Sequence, residues 1–315
     1  MKPPGPTLPV RAARGSAPAV AAIVLSWNGR RWVDRCLTSL AATAYPSLTI
    51  HVVDNGSRDG TPEGIAARFP GVRLIRRARN LGFAAGNNVG IRAALAAGAE
   101  YVALLNQDTW VESGWLTPLV NAIEADHGIG IVSPAQLAYD GDDDDPGFAR
   151  VLEGVPDGAV REVPSAPGAA LIIRREVLQA VGLFDPVYFA YFEEVDLCRR
   201  ARAHGFRTVV VPAGRIHHWH GLVHHGEMPL RAQLLSIRNQ FIFALKDPAV
   251  APVTALARCL ALWRREVLLC LRHPRGLRGS LERGAALAWA ATSLAVNLPR
   301  VLHHRAVERR PGAYL

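Results

Sequence analysis

Five short apolar runs, separated by stretches of helical period, constrain the first 135 residues more firmly than any other feature of the chain. Val20–Ser26, Leu48–Asp54, Val72–Ile75, Tyr101–Leu105 and Ile129–Ser133 are strand-like. Arg31–Ala42, Pro62–Phe69, Ala84–Ala97 and Ser113–Ala125 have helical spacing, the last opening on a Ser cap. A strand reads as one continuous apolar run only when both its faces are covered, and helices alternating with such strands supply the cover. The expected fold class is therefore α/β, a mostly parallel sheet between helical layers.

The pattern breaks between Ala135 and Pro167, where the run Asp140-Gly141-Asp142-Asp143-Asp144-Asp145 reads as a solvated loop because charges so dense repel and extend. Order returns over Ala169–Ile173, a helix over Arg175–Val181, the turn Gly182–Pro186, a helix over Glu193–His204 and a strand over Thr208–Val211. Past His225 the chain is helical, basic and apolar to its end. The expected organisation is a disordered leader over residues 1–18, an α/β domain over 19–229 and a basic amphipathic helical extension over 230–315.

From residue 230 onward there are 14 Lys and Arg against 4 Asp and Glu, so the whole formal charge of +9 belongs to the extension. Its arginines alternate with apolar stretches such as Cys259–Trp263, Val267–Leu271 and Ala285–Val296, a mixture that suits an anionic membrane surface better than nucleic acid. A helical subdomain that packs on the α/β domain or forms an oligomer is the other reading of the same pattern. No stretch is a clean membrane span: charges break Ala251–Leu271, and Gly284–Leu298 falls short of about 20 apolar residues. No secretory signal is visible, and four cysteines lack metal or redox spacing. Those features point to a reduced cytoplasmic protein, peripheral on the inner face of the membrane.

In an open α/β sheet, ligands gather outside the carboxyl ends of the strands. Val52-Val53-Asp54-Asn55-Gly56-Ser57 closes one strand there, Leu104-Leu105-Asn106-Gln107-Asp108 closes another, and Glu193-Glu194-Val195-Asp196-Leu197-Cys198 opens a later helix. An acid at a strand end can hold a divalent cation against a pyrophosphate, or accept from a nucleobase N–H or a ribose hydroxyl. Asp54 fits an Asx turn with Ser57 equally well on local grounds. Glycines at 82, 86 and 90 in the segment Asn80–Gly90 mark a helix face made for close packing on a sheet, with a helix N-terminus open to an anion.

In this order and spacing, and together with Val24–Gly29, these segments resemble a family 2 glycosyltransferase over roughly residues 20–245. The resemblance implies the GT-A nucleotide-diphospho-sugar transferase fold, with a nucleotide-binding half over 19–108 and an acceptor half over 109–229. It implies an inverting, metal-dependent transfer of a sugar from a dTDP- or UDP-linked donor to a glycan or polyprenyl-linked acceptor. The motifs look most like those of rhamnosyltransferases of polysaccharide and cell-wall assembly. Donor contacts then fall to Ser26, Asn28, Asp54, Asn80, Gly82, Asn88, Asn106 and Asp108. Asn106-x-Asp108 stands where the family has D-x-D, which leaves Asp108 as the main carboxylate ligand for Mg²⁺ or Mn²⁺. His218 is the second ligand the resemblance favours, with His217 and His220 as its neighbours. The general base falls on Glu194, where the family commonly has Asp, with Glu193 and Asp196 as alternatives. Crowded carboxylates raise one another's pKa, as a base working near neutrality requires. Tyr188–Phe192 looks like an acceptor-side segment. The departures at Asn106 and Glu194 leave a second reading open, a non-catalytic sugar-nucleotide-binding or membrane-scaffold protein on a decayed transferase fold. A dinucleotide-dependent oxidoreductase fails on the missing glycine fingerprint.

Overall fold

The computed structural model describes residues 17–141, 148, 151, 159–219, 229–272 and 276–308. Residues 1–16 of the expected leader, most of the acidic run, and His220, His224 and His225 lie outside the described residues. Among the described residues nine strands form one sheet, and its first half is the parallel array that the apolar runs predict. β1 (Val20–Ser26) lies between β2 (Leu48–Asp54) and β4 (Tyr101–Asn106), with β3 (Arg73–Arg76) outside β2, all parallel. Alternate residues of β1 serve opposite faces, as its unbroken apolar run demands. Val20, Ala22 and Val24 pack with Cys36, Leu37 and Leu40 of α1 (Val33–Ala41) and with Leu116 and Leu119 of α4 (Leu116–Ala125). Ala21 and Ile23 pack on the other side with Ala84, Ile91 and Ala94 of α3 (Phe83–Ala96). Gly90 makes that contact possible: a Cβ there would stand 2.5 Å from Cγ2 of Ile23. The remaining helix of this half, α2, covers Thr61–Arg68.

The second half of the sheet is mixed. β8 (Ala170–Arg174) runs antiparallel to both β4 and β6 (Ile129–Ala138), because it enters the sheet at the edge where the parallel strands end. β9 (Arg207–His218) lies parallel to β6 and carries two three-residue strands antiparallel to itself, β5 (Thr109–Val111) and β7 (Arg161–Val163). β9 runs well past the expected end at Val211. Its register with β6 jumps from Val211 to Arg215, a bulge that absorbs Pro212, Ala213 and Gly214 without ending the strand. The Ser113 cap is not formed: α4 starts at Leu116 with no side-chain cap.

Two helices of the second half, α5 (Arg175–Val181) and α6 (Glu193–Ala203), cover one face of the sheet. The extension forms α7 (Leu230–Lys246), α8 (Pro252–Leu271) and α9 (Gly276–Val307). The apolar segment ending at Leu298 does not stop there, because Pro299 sits inside α9 and the helix continues. Gly279–Val307 is in consequence long and apolar enough by length and composition to cross a membrane. One face of it is committed to protein contacts, with Ala286, Leu287 and Ala290 buried against Ile237 and Phe241 of α7.

Candidate active site

Three strand ends meet at one edge. The register pairs Ser26 with Asp54 and Leu25 with Asn106, so the ends of β1, β2 and β4 lie side by side. Gln107, the middle residue of Asn-Gln-Asp, fastens two of them together. Its Oε1 accepts from the Ser26 hydroxyl at 2.9 Å and the Trp27 N–H at 3.0 Å, and its Nε2 donates to the Trp27 carbonyl at 3.2 Å. Asn55 fastens the third: its Nδ2 donates to Asn80 Oδ1 and the Gly82 carbonyl, while its Oδ1 accepts from Leu81 N–H. These clasps hold a cleft of about 390 Å³, lined among others by Trp27, Asn55, Asn80, Gly82, Asn106 and Asp108. Trp27 is 44% exposed at its mouth, an apolar ring face presented to solvent.

A second cleft of about 470 Å³ adjoins the first, and Phe83, Asn106, Ala190 and Tyr191 line both. Glu193, Glu194, His218 and Gln136 line the second alone. Asn106 therefore stands at the junction. Its Oδ1 is buried and has no hydrogen-bond partner among the described residues, so a polar ligand is the group that would satisfy it. Asp108 and His218 come together because β5 pairs antiparallel with β9, which sets Thr109 opposite His218. Nε2 of His218 lies 3.7 Å from Oδ1 of Asp108. A carboxylate, an imidazole and an orphaned amide oxygen where the two clefts adjoin fit a divalent cation that takes its other ligands from phosphate and water. Among the described residues no group of three His, Cys, Asp or Glu forms a closed protein cage. His217 is spent elsewhere, stacked on Trp110 with 3.6 Å between ring centroids and bonded to the Ala138 carbonyl and Glu112.

Glu193 and Glu194 sit at the start of α6, after a loop in which Phe189, Tyr191 and Phe192 all have φ between 64° and 72°. Left-handed backbone at three non-glycine residues is strained, and such strain persists only where the surroundings impose it. Here α7 imposes it. Asn239 donates from Nδ2 to the carbonyls of Tyr188, Ala190 and Tyr191, and Arg238 donates to those of Val187 and Tyr188. Gly82 admits the loop: a Cβ there would meet the Phe189 ring at 2.6 Å. The N-terminus of α3 opens on the cleft as the glycine pattern suggested, although the Ala84 N–H is taken by the Phe189 carbonyl.

Burial pushes both glutamates upward in pKa, Glu193 further because it also faces the charge of Glu194. The hydrogen bond between them lowers Glu194, against the upward push of burial, and raises Glu193 along with it. Asp196 has the opposite fate. Burial opposes its charge, but Lys246, Arg200 and Arg199 prevail and hold its carboxyl far below the usual range. Its oxygens receive Lys246 Nζ at 2.8 Å, Arg200 Nε at 2.9 Å and Arg199 Nη2 at 2.9 Å. Completely buried and triply paired, Asp196 has neither access nor basicity for proton transfer.

Four other expected donor contacts, Ser26, Asn28, Asp54 and Asn88, are not among the residues lining the two clefts. Asp54 is buried and accepts from the Ser57 N–H at 3.3 and 3.4 Å, the local turn, while its neighbour Asn55 faces the cleft. Ser26 is buried on Gln107, and Asn28 braces the same turn by bonding Ser57 and Arg58. Asn88 spends both ends of its amide on the Phe184 backbone, pinning the Gly182–Pro186 turn to α3. Sequence reasoning passed over Trp27, Asn55, Gln107, Asn239 and Arg231, the last a cleft-lining cation from α7. The expected boundary between residues 229 and 230 thus crosses a cleft wall, since Pro229, Arg231, Ala232 and Leu235 line the first cleft.

Comparison with known proteins agrees with this geometry. The family described as Glycosyl transferase family 2 matches residues 21–182, and Glycosyltransferase like family 2 matches 157–233. An N-acetylglucosaminyl-diphospho-decaprenol L-rhamnosyltransferase of Mycobacterium tuberculosis is 28% identical over 83% of this chain and 94% of its own length. Among solved structures, GalNAc-T7 with UDP, GalNAc and Mn²⁺ superposes with a TM-score of 0.58 at 16% identity, over 91% of this chain and 58% of the other. A mannosyltransferase of Pyrobaculum calidifontis, in complex with GDP-Man and Mn²⁺, gives 0.56 at 21% identity over 95% and 90%. The strand-end cleft, the shared fold and the family match over half its length together make this chain a member of glycosyl transferase family 2, a glycosyltransferase of rhamnosyltransferase-like sequence.

Proposed function

We propose that the protein catalyses the inverting, divalent-cation-dependent transfer of a rhamnosyl group from a nucleotide-diphosphate donor to a lipid-linked glycan in cell-wall polysaccharide synthesis. The observation that carries this reading is the pair of adjoining clefts, one built on strand ends and one holding Glu194, with Asn106 at their junction. The nucleotide would occupy the first, Trp27 stacking on its base and Arg231 facing its phosphates. The acceptor sugar would occupy the second. Glu194 takes the proton of the attacking hydroxyl as its oxygen bonds to the anomeric carbon; the carbon–oxygen bond to the diphosphate breaks on the opposite side, and its electron pair leaves with the nucleotide. A Mg²⁺ or Mn²⁺ ion held by Asp108 and His218 would supply positive charge against that leaving group. Sequence similarity to a rhamnosyltransferase supports the choice of sugar, and that relative's name supports a polyprenyl-diphosphate acceptor. A scaffold on a decayed fold would have no use for two adjacent carboxyls, Glu193 buried and Glu194 half-buried, with their pKa values raised at a cost to stability.

A panel of dTDP-, UDP- and GDP-sugars tests the reading. The matching donor is expected to raise the thermal midpoint in the presence of Mn²⁺ and to support transfer to a polyprenyl-diphosphate-linked sugar. Binding without transfer to any such acceptor would leave only the scaffold reading standing.

We also assign the extension to the membrane interface on the cytoplasmic side. Leu256, Leu260 and Trp263 form a stripe along α8 that is 57%, 62% and 42% exposed, with Arg264 beside it. An exposed apolar stripe on a strongly basic extension suits an anionic leaflet. The full chain is expected to float with anionic liposomes at low salt, and the double variant Leu256→Asp, Leu260→Asp to stay in solution. Equal flotation of both would remove α8 from the interface.

A further inference from the structure

Two costs are concentrated where α7 meets the loop before α6. Phe189, Tyr191 and Phe192 hold left-handed backbone at φ 64°, 71° and 72°. Arg238, which bonds the start of that loop, is buried, and burial pushes its pKa down with no acid to offset the shift. A strained backbone persists only where its surroundings impose it, and a desolvated cation is costly unless it is well bonded. Features of this kind gather at functional sites. Asn239 stands between the two and is fully buried. Its Oδ1 accepts from Arg238 Nε at 2.9 Å. That nitrogen can only donate, so the amide has one orientation, with Nδ2 toward the loop. Nδ2 meets three carbonyls, those of Tyr188 at 2.9 Å, Ala190 at 2.8 Å and Tyr191 at 2.7 Å.

The backbone held in this way divides the two clefts. Ala190 and Tyr191 line both, and Glu193 and Glu194 of the second cleft follow directly after Phe192. Asn239 itself lines neither cleft. We infer that Asn239 is a positioning residue for transfer, fixing through three loop carbonyls the place of Glu194 relative to the donor. The inference rests on the assignment of Glu194 as base made above. Its neighbour cannot substitute for it. Arg238 reaches the carbonyls of Val187 and Tyr188, which precede the strained residues, whereas Asn239 reaches those of Ala190 and Tyr191 among them. One face of α7 also carries Arg231, Leu235 and Asn239 four residues apart, so the helix that walls the first cleft is the one that sets the loop.

The test uses the full chain with the donor identified by the panel above and a polyprenyl-diphosphate-linked sugar. Asn239→Asp is near-isosteric. It keeps an oxygen to accept from Arg238, but it has no hydrogen for the loop carbonyls. Its kcat is expected to fall about 10²-fold, the effect of roughly 1 Å of misplacement at a reacting group. Asn239→Ala loses the bonds on both sides and is expected to fall at least as far. Both are assayed below their own melting temperatures. Calorimetric affinity for the nucleotide diphosphate with Mn²⁺ should stay near that of the wild type, because the clasps of Gln107 and Asn55 make no bond to Asn239. The decisive measurement places Asn239→Asp on Glu194→Gln. A base that cannot take a proton gains nothing from its position, so kcat is expected to fall no further. A merely structural role predicts the same loss in both backgrounds. Wild-type kcat in Asn239→Asp, or a loss repeated in full on Glu194→Gln, overturns the positioning role while the base assignment stands. If Glu194→Gln alone keeps the wild-type kcat, the base assignment has failed and the positioning role falls with it.

Discussion

Glu194→Gln is expected to lower kcat by roughly 10²–10⁴-fold, the usual share of a positioned acid–base group, with little change in donor affinity. The amide keeps the shape of the side chain but cannot take the proton of the attacking hydroxyl. Burial holds the Glu194 pKa above the ordinary carboxylate value, so wild-type transfer should rise with pH along a limb displaced to higher pH than a free glutamate would give. The same shift has a stability consequence of definite sign. A carboxyl whose folded pKa is raised binds its proton more tightly in the folded state. Its favourable contribution is therefore complete below the unfolded value of about 4.3 and is lost as pH rises through the folded one. Glu194→Gln removes that loss, so the inactive variant should melt higher than wild type at pH 8, with the difference shrinking on acidification. Asp196→Asn is the contrasting variant. It leaves Lys246 and two arginines buried without their shared partner, a change that costs about 3–5 kcal/mol. Its signature is a large fall in melting temperature. If Asp196→Asn instead keeps its stability and loses only kcat, or Glu194→Gln stays active, the base has been misassigned.

What could be read ahead of the structure follows from the range of the interactions involved. β1 and β2 match the expected spans residue for residue, because an apolar run buried on both faces ends where the polar strand end begins. The position of Asn106 and Asp108 at a ligand-gathering edge is a topological consequence of that same alternation. β5 and β7 escaped notice because three residues are too few to show a period. The continuation of β9 to His218 escaped because a proline and a glycine normally punctuate a chain, whereas here β6 carries the pairing across the bulge. In the extension, composition showed an apolar face and a positive charge but not their partners. α7 turns out to wall the first cleft and clamp the strained loop through Asn239, a role set by contacts to residues about 50 positions away. Lys246 belongs to the same lesson. Counted with the basic charge of the extension, it is wholly buried between Asp185 at 3.0 Å and Asp196 at 2.8 Å. Asn88 sits in a segment that resembles the family, yet its amide serves packing, since a motif does not show which way an amide points.

Asp108→Ala should abolish metal-dependent transfer while leaving the melting temperature of the free protein close to that of wild type. The asymmetry arises because the two roles of this residue use different atoms. Its backbone carbonyl accepts from Trp219 N–H at 3.0 Å and helps to join β5 to β9, and alanine keeps that bond. Its carboxylate, 28% exposed, stands 3.7 Å from His218, beyond hydrogen-bond distance, so that contact adds little to stability. In the cleft the same carboxylate is the one formal negative charge that Asn106-x-Asp108 offers a cation, because Asn106 contributes an uncharged oxygen. Magnesium and manganese need anionic oxygen ligands, and the diphosphate alone would then have to hold the ion without an anchor to the protein. Mn²⁺ is accordingly expected to strengthen nucleotide-diphosphate binding to the wild type and to lose that effect in Asp108→Ala, while metal-free nucleotide affinity stays similar. Calorimetric titration of the nucleotide diphosphate with and without Mn²⁺ reads this directly and does not depend on identifying the acceptor. An undiminished Mn²⁺ effect in Asp108→Ala would place the cation on other ligands. Loss of nucleotide binding even without Mn²⁺ would instead make Asp108 a direct donor contact.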